Sequence, residues 1–386
     1  MIHAFPAIDS ADREVVGLIH EQRKQLRFSI NQNPVRWTGF LRRSTFARAM
    51  QGSNSIEGID ASFDEAVAIV DNEKPESVED ENYAALLGYR NAMTYVLQLH
   101  DDPYFVLQPQ VIKSLHFIMI SYDMTKAPGQ WRNGEIFVVR ERTGEQVYKG
   151  PDAGLVPSLM DELVAQAADA GDMDPMIKGA MAHLNLAMIH PFRDGNGRMA
   201  RALQTLVIAR DGILAPTFSS IEEWLGRNTD AYYAILAAVG GGAWHPGNDA
   251  GPWIRFCLRA HFQQAATLIK RNAEIGRVWD QVATIISANG LPERTEIAVM
   301  NAAFGISVRN SVYRTENAIS DVVASRDLKK LCDIDLLVPV GEKRGRHYVA
   351  TKALLEIRER SRDTRRAGDP YELIRQDSQP KLPGLL

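Results

Sequence analysis

The amino-acid sequence predicts a mainly α protein with one short β-hairpin near its middle and a winged-helix module toward its end. Three observations carry that prediction. Apolar residues recur at helical spacing through most of the chain. β-rich stretches are confined to residues 136–148 and 336–351. Proline and capping residues punctuate the periodic runs where helices should begin and end.

Taken in order, residues 11–28 mix charge with apolar positions at helical spacing, as do 81–99, 107–122 and 157–169. Between the third and fourth of these, Ile136–Val139 and Gln146–Tyr148 flank Arg142-Thr143-Gly144-Glu145, which reads as a hairpin. Asp174 and Pro175 read as an N-cap and first helical residue. The helix that follows places Ile177, Ala180, Leu184 and Ala187 on one face. It should stop at His190-Pro191, because proline cannot continue it and restrains the residue before it. A further helix, with Ala200, Leu203 and Val207 on one face, starts just beyond. Residues 240–252 (GGGAWHPGNDAG) are loose, a long helix covers 252–285, and a linker lies near 286–292. Residues 307–320 and 325–337 read as short helices, and LLVPVGEKRGRHYVAT as two strands around a basic turn. Helix, helix, hairpin is the layout of a winged helix. From about residue 361 the chain is charged and proline-bearing and reads as a loose tail.

Bulk properties narrow the function. The 386 residues suggest two or three domains, and 45% hydrophobic with 24% charged residues is ordinary globular composition. A net charge of −4 argues against a chain built mainly to coat nucleic acid, while leaving room for a local basic patch. The two cysteines, Cys257 and Cys332, lack metal-ligand spacing and read as free thiols of a reducing cytoplasm. No secretory signal is evident at the start, and no apolar run reaches membrane-spanning length.

The most informative stretch is HPFRDGNGR, residues 190–198. His190 follows a helix end and has the neutral-range pKa of a general base for a hydroxyl. Gly195-Asn196-Gly197 leaves backbone amides uncovered at a helix start, an anion site in its own right. Arg198 and Arg201 leave the first turn from one side, and guanidinium forks match phosphate oxygens. Asp194 beside a phosphate would be repelled unless a cation lies between, which suggests Mg²⁺. Base, metal, anion cradle and charge clamp together describe phosphoryl or nucleotidyl transfer.

With His190, Pro191, Phe192, Asp194, Gly195, Asn196, Gly197, Arg198 and Arg201 in place, the stretch resembles the signature H-P-F-x-[D/E]-G-N-G-R-x-x-R of the Fic (filamentation induced by cyclic AMP) family, without departure. The resemblance implies a Fic-type helical core and transfer of AMP from ATP to a protein Ser, Thr or Tyr hydroxyl, with release of pyrophosphate. It implies His190 as the base, Phe192 as the loop's anchor and Asp194 as the ligand of Mg²⁺ (or Mn²⁺). The amides of Gly195–Arg198 would hold phosphate oxygens, Asn196 would shape the loop, and Arg198 and Arg201 would take the outer phosphates. The hairpin at 136–148 would be the family's flap over the site, with Gly129-Gln130-Trp131-Arg132 leading into it. Tyr232 and Tyr233 resemble an aromatic pair near adenine, and His183 reads as structural. SNSIEG, residues 53–58, fits the family's inhibitory pattern [S/T]-x-x-x-E-[G/N] through Ser53, Glu57 and Gly58. Glu57 would pair with Arg201 where the γ-phosphate belongs and so misplace the α-phosphate. This implies the subgroup whose inhibitory helix precedes the catalytic core.

The expected organisation is an N-terminal helical region with the inhibitory motif (1–80), the catalytic core and helical extension (81–285), the winged-helix module (286–360) and the tail (361–386). Gly341–Arg346 would form a basic wing tip, with Arg358, Arg360, Arg362, Arg365 and Arg366 behind it, so DNA stands open as a partner. The expected partners are a protein substrate, the chain itself by self-modification, and a second copy in a homodimer, with no membrane. Beside the autoinhibited adenylyltransferase, two other readings stand: a DNA-binding regulator that senses nucleotide, and a hydrolase that removes AMP at the same site.

Overall fold

The computed structural model describes residues 1–140, 144–168, 171–210, 212–342 and 345–377. Asp9 and Asp12 form a capping box that opens α1 (Ser10–Gln32), a helix that buries Val15, Ile19, Leu26 and Ile30. Pro34 then starts α2 (Val35–Ser55). A second capping box, Ser62 with Glu65, opens α3 (Phe63–Val70). α4 (Asp80–Leu99) and α5 (Pro109–Ile120) pack against each other, α5 with proline in its first turn. The hairpin follows as β1 (Phe137–Arg140) and β2 (Glu145–Lys149), antiparallel, with an irregularity between Val138 and Val139. Arg142 and Thr143 of the expected turn lie outside the described residues.

α6 (Val156–Ala168) leads to the centre of the molecule, α7 (Pro175–Ile189) and α8 (Asn196–Ala209). Asp174 caps α7 by accepting from the Met176 amide at 2.8 Å, as its sequence predicts. The single apolar face expected for α7 is too modest a description. Nearly all of α7 and α8 is buried, because other helices cover the pair from several sides. α9 (Pro216–Ser219), α10 (Glu222–Arg227) and α11 (Thr229–Gly240) follow, and then the long α12 (Gly251–Ala288). α1 lies along α12, tied by Arg255 to Asp12 at 3.1 Å. α2 crosses α10 so closely that Gly52 and Gly226 meet backbone to backbone, leaving no room for a Cβ on either.

The last quarter departs from expectation in three places. A helix absent from the sequence reading, α13 (Thr295–Ala303), follows the linker; it is buried nearly all round, so no polar face betrays it. Val308–Arg309, expected inside a helix, is instead strand β3, because it pairs with a later strand. α14 (Asn310–Glu316), α15 (Asp321–Asp333), β4 (Leu337–Val340) and β5 (His347–Ala350) then complete an antiparallel sheet in the order β3-β5-β4. Lys343 and Arg344 of the expected wing tip lie outside the described residues. α16 (Lys352–Ser361) is capped by Thr351. Finally, the supposed loose tail folds in part: α17 (Pro370–Asp377) docks on α1 and α12, with the Tyr371 hydroxyl on Asp12 at 3.0 Å and Arg259 on Asp369 at 2.7 Å. Residues 378–386 lie outside the described part. No helix among the described residues is long and apolar enough to cross a membrane.

Candidate active site

α7 ends at His190, whose left-handed backbone (φ 50°) swings the chain out of the helix. Arg132 holds that end. Its Nε donates to the His190 carbonyl at 2.8 Å, its Nη2 to the Pro151 carbonyl at 2.6 Å, and its backbone amide to the Pro191 carbonyl at 2.8 Å. The Gly129–Arg132 segment is thus a clamp on the His190 backbone, a sharper role than an approach to the flap. The imidazole Nδ1 lies 3.1 Å from the Ala187 carbonyl, a bond that requires the proton on Nδ1 and leaves Nε2 as the basic nitrogen. Burial pulls the His190 pKa below its ordinary value, only partly offset by that bond and by Glu57, so the ring is neutral near pH 7.

The loop from 191 to 195 is closed by its own side chains. The Asn196 amide accepts from the Phe192 N–H and donates to the Phe192 carbonyl, both at 2.9 Å, so one side chain satisfies both backbone groups of Phe192. Phe192 is fully buried and stacks on His116, ring centroids 3.7 Å apart. His116 in turn accepts from the Gly129 amide at 2.8 Å and donates to the Asp194 carbonyl at 3.0 Å. Burial drops its pKa to about 4, so it serves as a neutral bridge. Gly195 adopts φ 74°, and a Cβ there would press on Ile120. α8 begins at the next residue, and its first-turn N–H groups have no intrahelical partner.

Two arginines sit beside those amides. Arg198 is 2% exposed, and its Nε and Nη1 make no hydrogen bond; its nearest anion is Asp194 at 3.9 Å. Arg201 is 1% exposed and is held by the upstream segment. It donates from Nε to the Ser53 hydroxyl at 2.8 Å, and from Nη2 to the Ser53 carbonyl at 2.9 Å and to Glu57 Oε1 at 2.7 Å, while Nη1 stays unbonded. Desolvation pulls the Arg201 pKa down, but the charge and hydrogen bond of Glu57 together with Tyr232 and Glu222 outweigh it and raise the pKa above its ordinary value, so the pair is ionic. The Glu57 carboxylate also lies against Gly197, where an added Cβ would overlap it. The expected pairing of Glu57 with Arg201 is thus present, and the carboxylate rests on the anion cradle itself. Gly58 turns the chain away at φ 73°.

Asp194 is 39% exposed at its side chain, and Lys126 sits on its Oδ2 at 2.8 Å. Desolvation pushes the Asp194 carboxyl up, but Lys126 and Arg198 outweigh it and hold it below the ordinary carboxylate range. Among the described residues no group of three or more His, Cys, Asp or Glu gathers as a metal cage. A lone carboxylate facing a phosphate cradle still fits Mg²⁺, which takes one or two protein carboxylates and fills the rest of its shell with phosphate oxygens and water.

Tyr232 needs correction as an adenine contact. Its ring is 1% exposed, packed 6.1 Å from Trp253, with its hydroxyl 2.9 Å from His183 Nε2, so it offers no open face to a base. His183 is structural, as expected. Tyr233 stays 46% exposed and donates to the Ile56 carbonyl at 3.0 Å, beside Glu57. The C-terminal arginine row is also thinned. Arg358 is committed to Glu274 at 2.9 Å and to the Ala303 carbonyl at 3.2 Å, and Arg365 folds back on Asp363.

Sequence reasoning missed His116, Lys126 and the buried Glu222, which bonds Tyr89 and, at 2.9 Å, Ser220 behind Arg201. Each is a single residue in an unremarkable stretch, and only the fold brings it to the site.

The β-hairpin stands next to His190, its base fixed by the Tyr148 hydroxyl on the Met188 carbonyl at 2.8 Å. Lys149 of β2 continues toward Ala243 and Gly242, which leaves β1 as the open edge among the described residues.

Comparisons with known proteins agree with this geometry. Residues 106–208 match the model of the Fic/DOC family. The "Protein adenylyltransferase Fic" of Nematostella vectensis is 26% identical over 261 residues, covering 66% of this chain and 56% of that protein. The "Protein adenylyltransferase fic-1" of Caenorhabditis briggsae is 24% identical over 265 residues, covering 66% and 46%. The chain thus spans about half the length of the curated relatives it matches. A crystal structure of a Fic family protein from Desulfovibrio desulfuricans superposes with a TM-score of 0.59 at 19% identity, covering 91% of this chain and 98% of that one. The loop that carries His190, the two arginines and the hairpin before them all fall inside residues 106–208, the segment that matches the Fic/DOC family model.

Proposed function

We propose that the chain is a protein adenylyltransferase held in check by Glu57. One observation carries the reading: three buried guanidinium N–H-bearing atoms, Arg198 Nε and Nη1 and Arg201 Nη1, make no hydrogen bond beside a glycine-lined helix start, next to a neutral histidine. Buried donors without partners are costly, and a polyphosphate would supply the acceptors. The names of the two relatives point the same way.

In the proposed reaction a target hydroxyl attacks the α-phosphorus of ATP. His190 Nε2 takes the hydroxyl proton, the new P–O bond forms, the bond to the β-phosphate oxygen breaks, and pyrophosphate leaves. Arg132 keeps the imidazole aimed by gripping its backbone. α8's first-turn amides and Arg198 hold oxygens, and Arg201, once released, clamps the far phosphate. Asp194 would hold Mg²⁺, which when bound neutralises phosphate charge. The open edge of β1 would take a strand of the target protein, and its Ser, Thr or Tyr would then be set by backbone pairing.

Glu57 opposes this by occupying Arg201 and crowding Gly197. Labelled ATP tests the whole reading. Self-labelling or labelling of a lysate protein by Glu57→Gly, absent from Glu57→Gly/His190→Ala, supports it; no labelling by Glu57→Gly overturns it. The position of the same carboxylate at the cradle also suits alignment of water for AMP removal. Loss of AMP from a pre-labelled protein in wild type but not in Glu57→Gly would favour that hydrolase. DNA contact through α15, whose outward side carries Arg326, Lys329 and Lys330, is a separate proposal that a mobility shift of the full chain at two salt concentrations decides.

A further inference from the structure

A second basic cavity lies away from the active site. It measures about 260 Å³ and is lined by Arg27 and Asn31 of α1, Arg42 of α2, His100 and Asp101 beyond α4, and Arg210 beyond α8. Arg210 is fixed in its wall, donating to the carbonyls of Leu99, His100 and Asp102 at 3.3, 3.2 and 2.8 Å. His100 donates from Nδ1 to the Leu97 carbonyl at 2.7 Å and pairs through Nε2 with Asp101 at 3.0 Å. Arg27 and Arg42 have neither an ion pair nor a side-chain hydrogen bond among the described residues. Among the described lining residues, three guanidinium groups therefore converge on one space that holds the carboxylate of Asp101, and two of the three make no ion pair or side-chain hydrogen bond there.

We propose that this cavity binds a small phosphate-bearing anion. Planar forks suit phosphate oxygens, the arginine excess among the described lining residues favours an anionic ligand, and the volume admits a phosphomonoester or pyrophosphate. The position gives binding a consequence. Arg42 and Ser53 lie eleven residues apart on α2, three turns and about 20°, so both face the same way ~16 Å apart. Ser53 meets Arg201 near the start of α8, while Arg42 shares the cavity with Arg210 just past its end. α2 and α8 thus run antiparallel, with Glu57's ion pair at one end of the seam and the cavity at the other. An anion gripped between Arg42 and Arg210 draws on α2, the helix that leads into the turn carrying Glu57. The binding claim stands without the adenylyltransferase reading; the regulatory claim rests on it.

The test uses the full chain and titration calorimetry with inorganic pyrophosphate and with orthophosphate. Arg27 and Arg42 are exposed, so Arg42→Glu and Arg27→Glu should fold, which their unliganded melting temperatures check. Each is expected to weaken binding at least ten-fold, whereas Arg198→Ala leaves it unchanged. Absence of binding, or binding lost in Arg198→Ala but retained in Arg42→Glu, overturns the site, the latter assigning the anion to the catalytic cradle. Amide hydrogen exchange at residues 53–58 reads the coupling without any catalytic assay. A change on adding saturating anion, missing in Arg42→Glu, supports it; unchanged exchange with the cavity filled overturns it. If Glu57→Gly never labels protein, the adenylyltransferase reading falls while the binding result stands.

Discussion

Two short segments meet at Arg201, and they are held in opposite ways. The loop from His190 to Arg198 is built into the protein. Arg132 clamps its start, Asn196 ties its middle, and the Phe192 ring is locked on His116. The Glu57 side chain, by contrast, is 27% exposed and reaches the site through one ion pair. The first is a permanent cradle; the second is an occupant. The difference teaches that the loop's own bonds do not depend on Glu57, which is what the proposed inhibition requires.

The largest effect should come from the cradle side. On the proposed chemistry, His190→Ala removes the base and should lower AMP transfer about 10²–10⁴-fold in a Glu57→Gly background, with nucleotide affinity little changed. Labelled-ATP incorporation and a binding titration measure the two. The same background gives the pH dependence. The free base is the active form, and burial lowers its pKa below the usual 6.5, so the midpoint of the acid-side fall in transfer should lie below pH 6.5. A midpoint above pH 6.5 would contradict the neutral, buried ring.

Next comes the occupant. Glu57→Gly should raise transfer about 5–150-fold, the range of a coupling worth about 1–3 kcal/mol. It should cost about 1–2 kcal/mol of thermal stability, because the buried Arg201 loses its paired carboxylate while keeping both bonds to Ser53. In Asn196→Ala two buried hydrogen bonds vanish and both backbone groups of Phe192 are left bare, at a cost of about 2 kcal/mol in chemical denaturation. If Asn196→Ala were neutral and Glu57→Gly strongly destabilising, the contrast between cradle and occupant would be backwards.

How much of this could be read from sequence follows the same contrast. The cradle was legible because its parts are contiguous: glycines, an amide and two arginines within one turn of a helix start, each with a local physical reason. Ser53 and Glu57 were legible as a motif, yet their contact with Arg201 spans 148 and 144 residues and needed the fold. His116 and Lys126 carried no signal, since a lone histidine on an apolar helix and a lone lysine in a turn are ordinary. α13 was missed because burial on all sides erases periodicity, and β3 because two residues become a strand only by pairing with β5. Tyr232 was misplaced for a related reason: adjacent tyrosines look alike in sequence, while the helix turns one into the core and leaves its neighbour out.

Tyr233 supplies the smallest and most discriminating prediction. Its hydroxyl donates to the Ile56 carbonyl, one residue before Glu57, so it steadies the segment that carries the occupant. Tyr233→Phe keeps the ring and deletes that bond, worth about 1 kcal/mol. Transfer should therefore rise, by no more than about five-fold, in a chain that retains Glu57. In a Glu57→Gly chain the same change should do nothing, because there is no carboxylate left to steady; a double-mutant cycle with labelled ATP reads the difference. Were Tyr233 a contact for adenine instead, a hydroxyl that bonds the base would weaken ATP binding in both backgrounds alike. Equal effects with and without Glu57 would thus move Tyr233 from the occupant to the cradle.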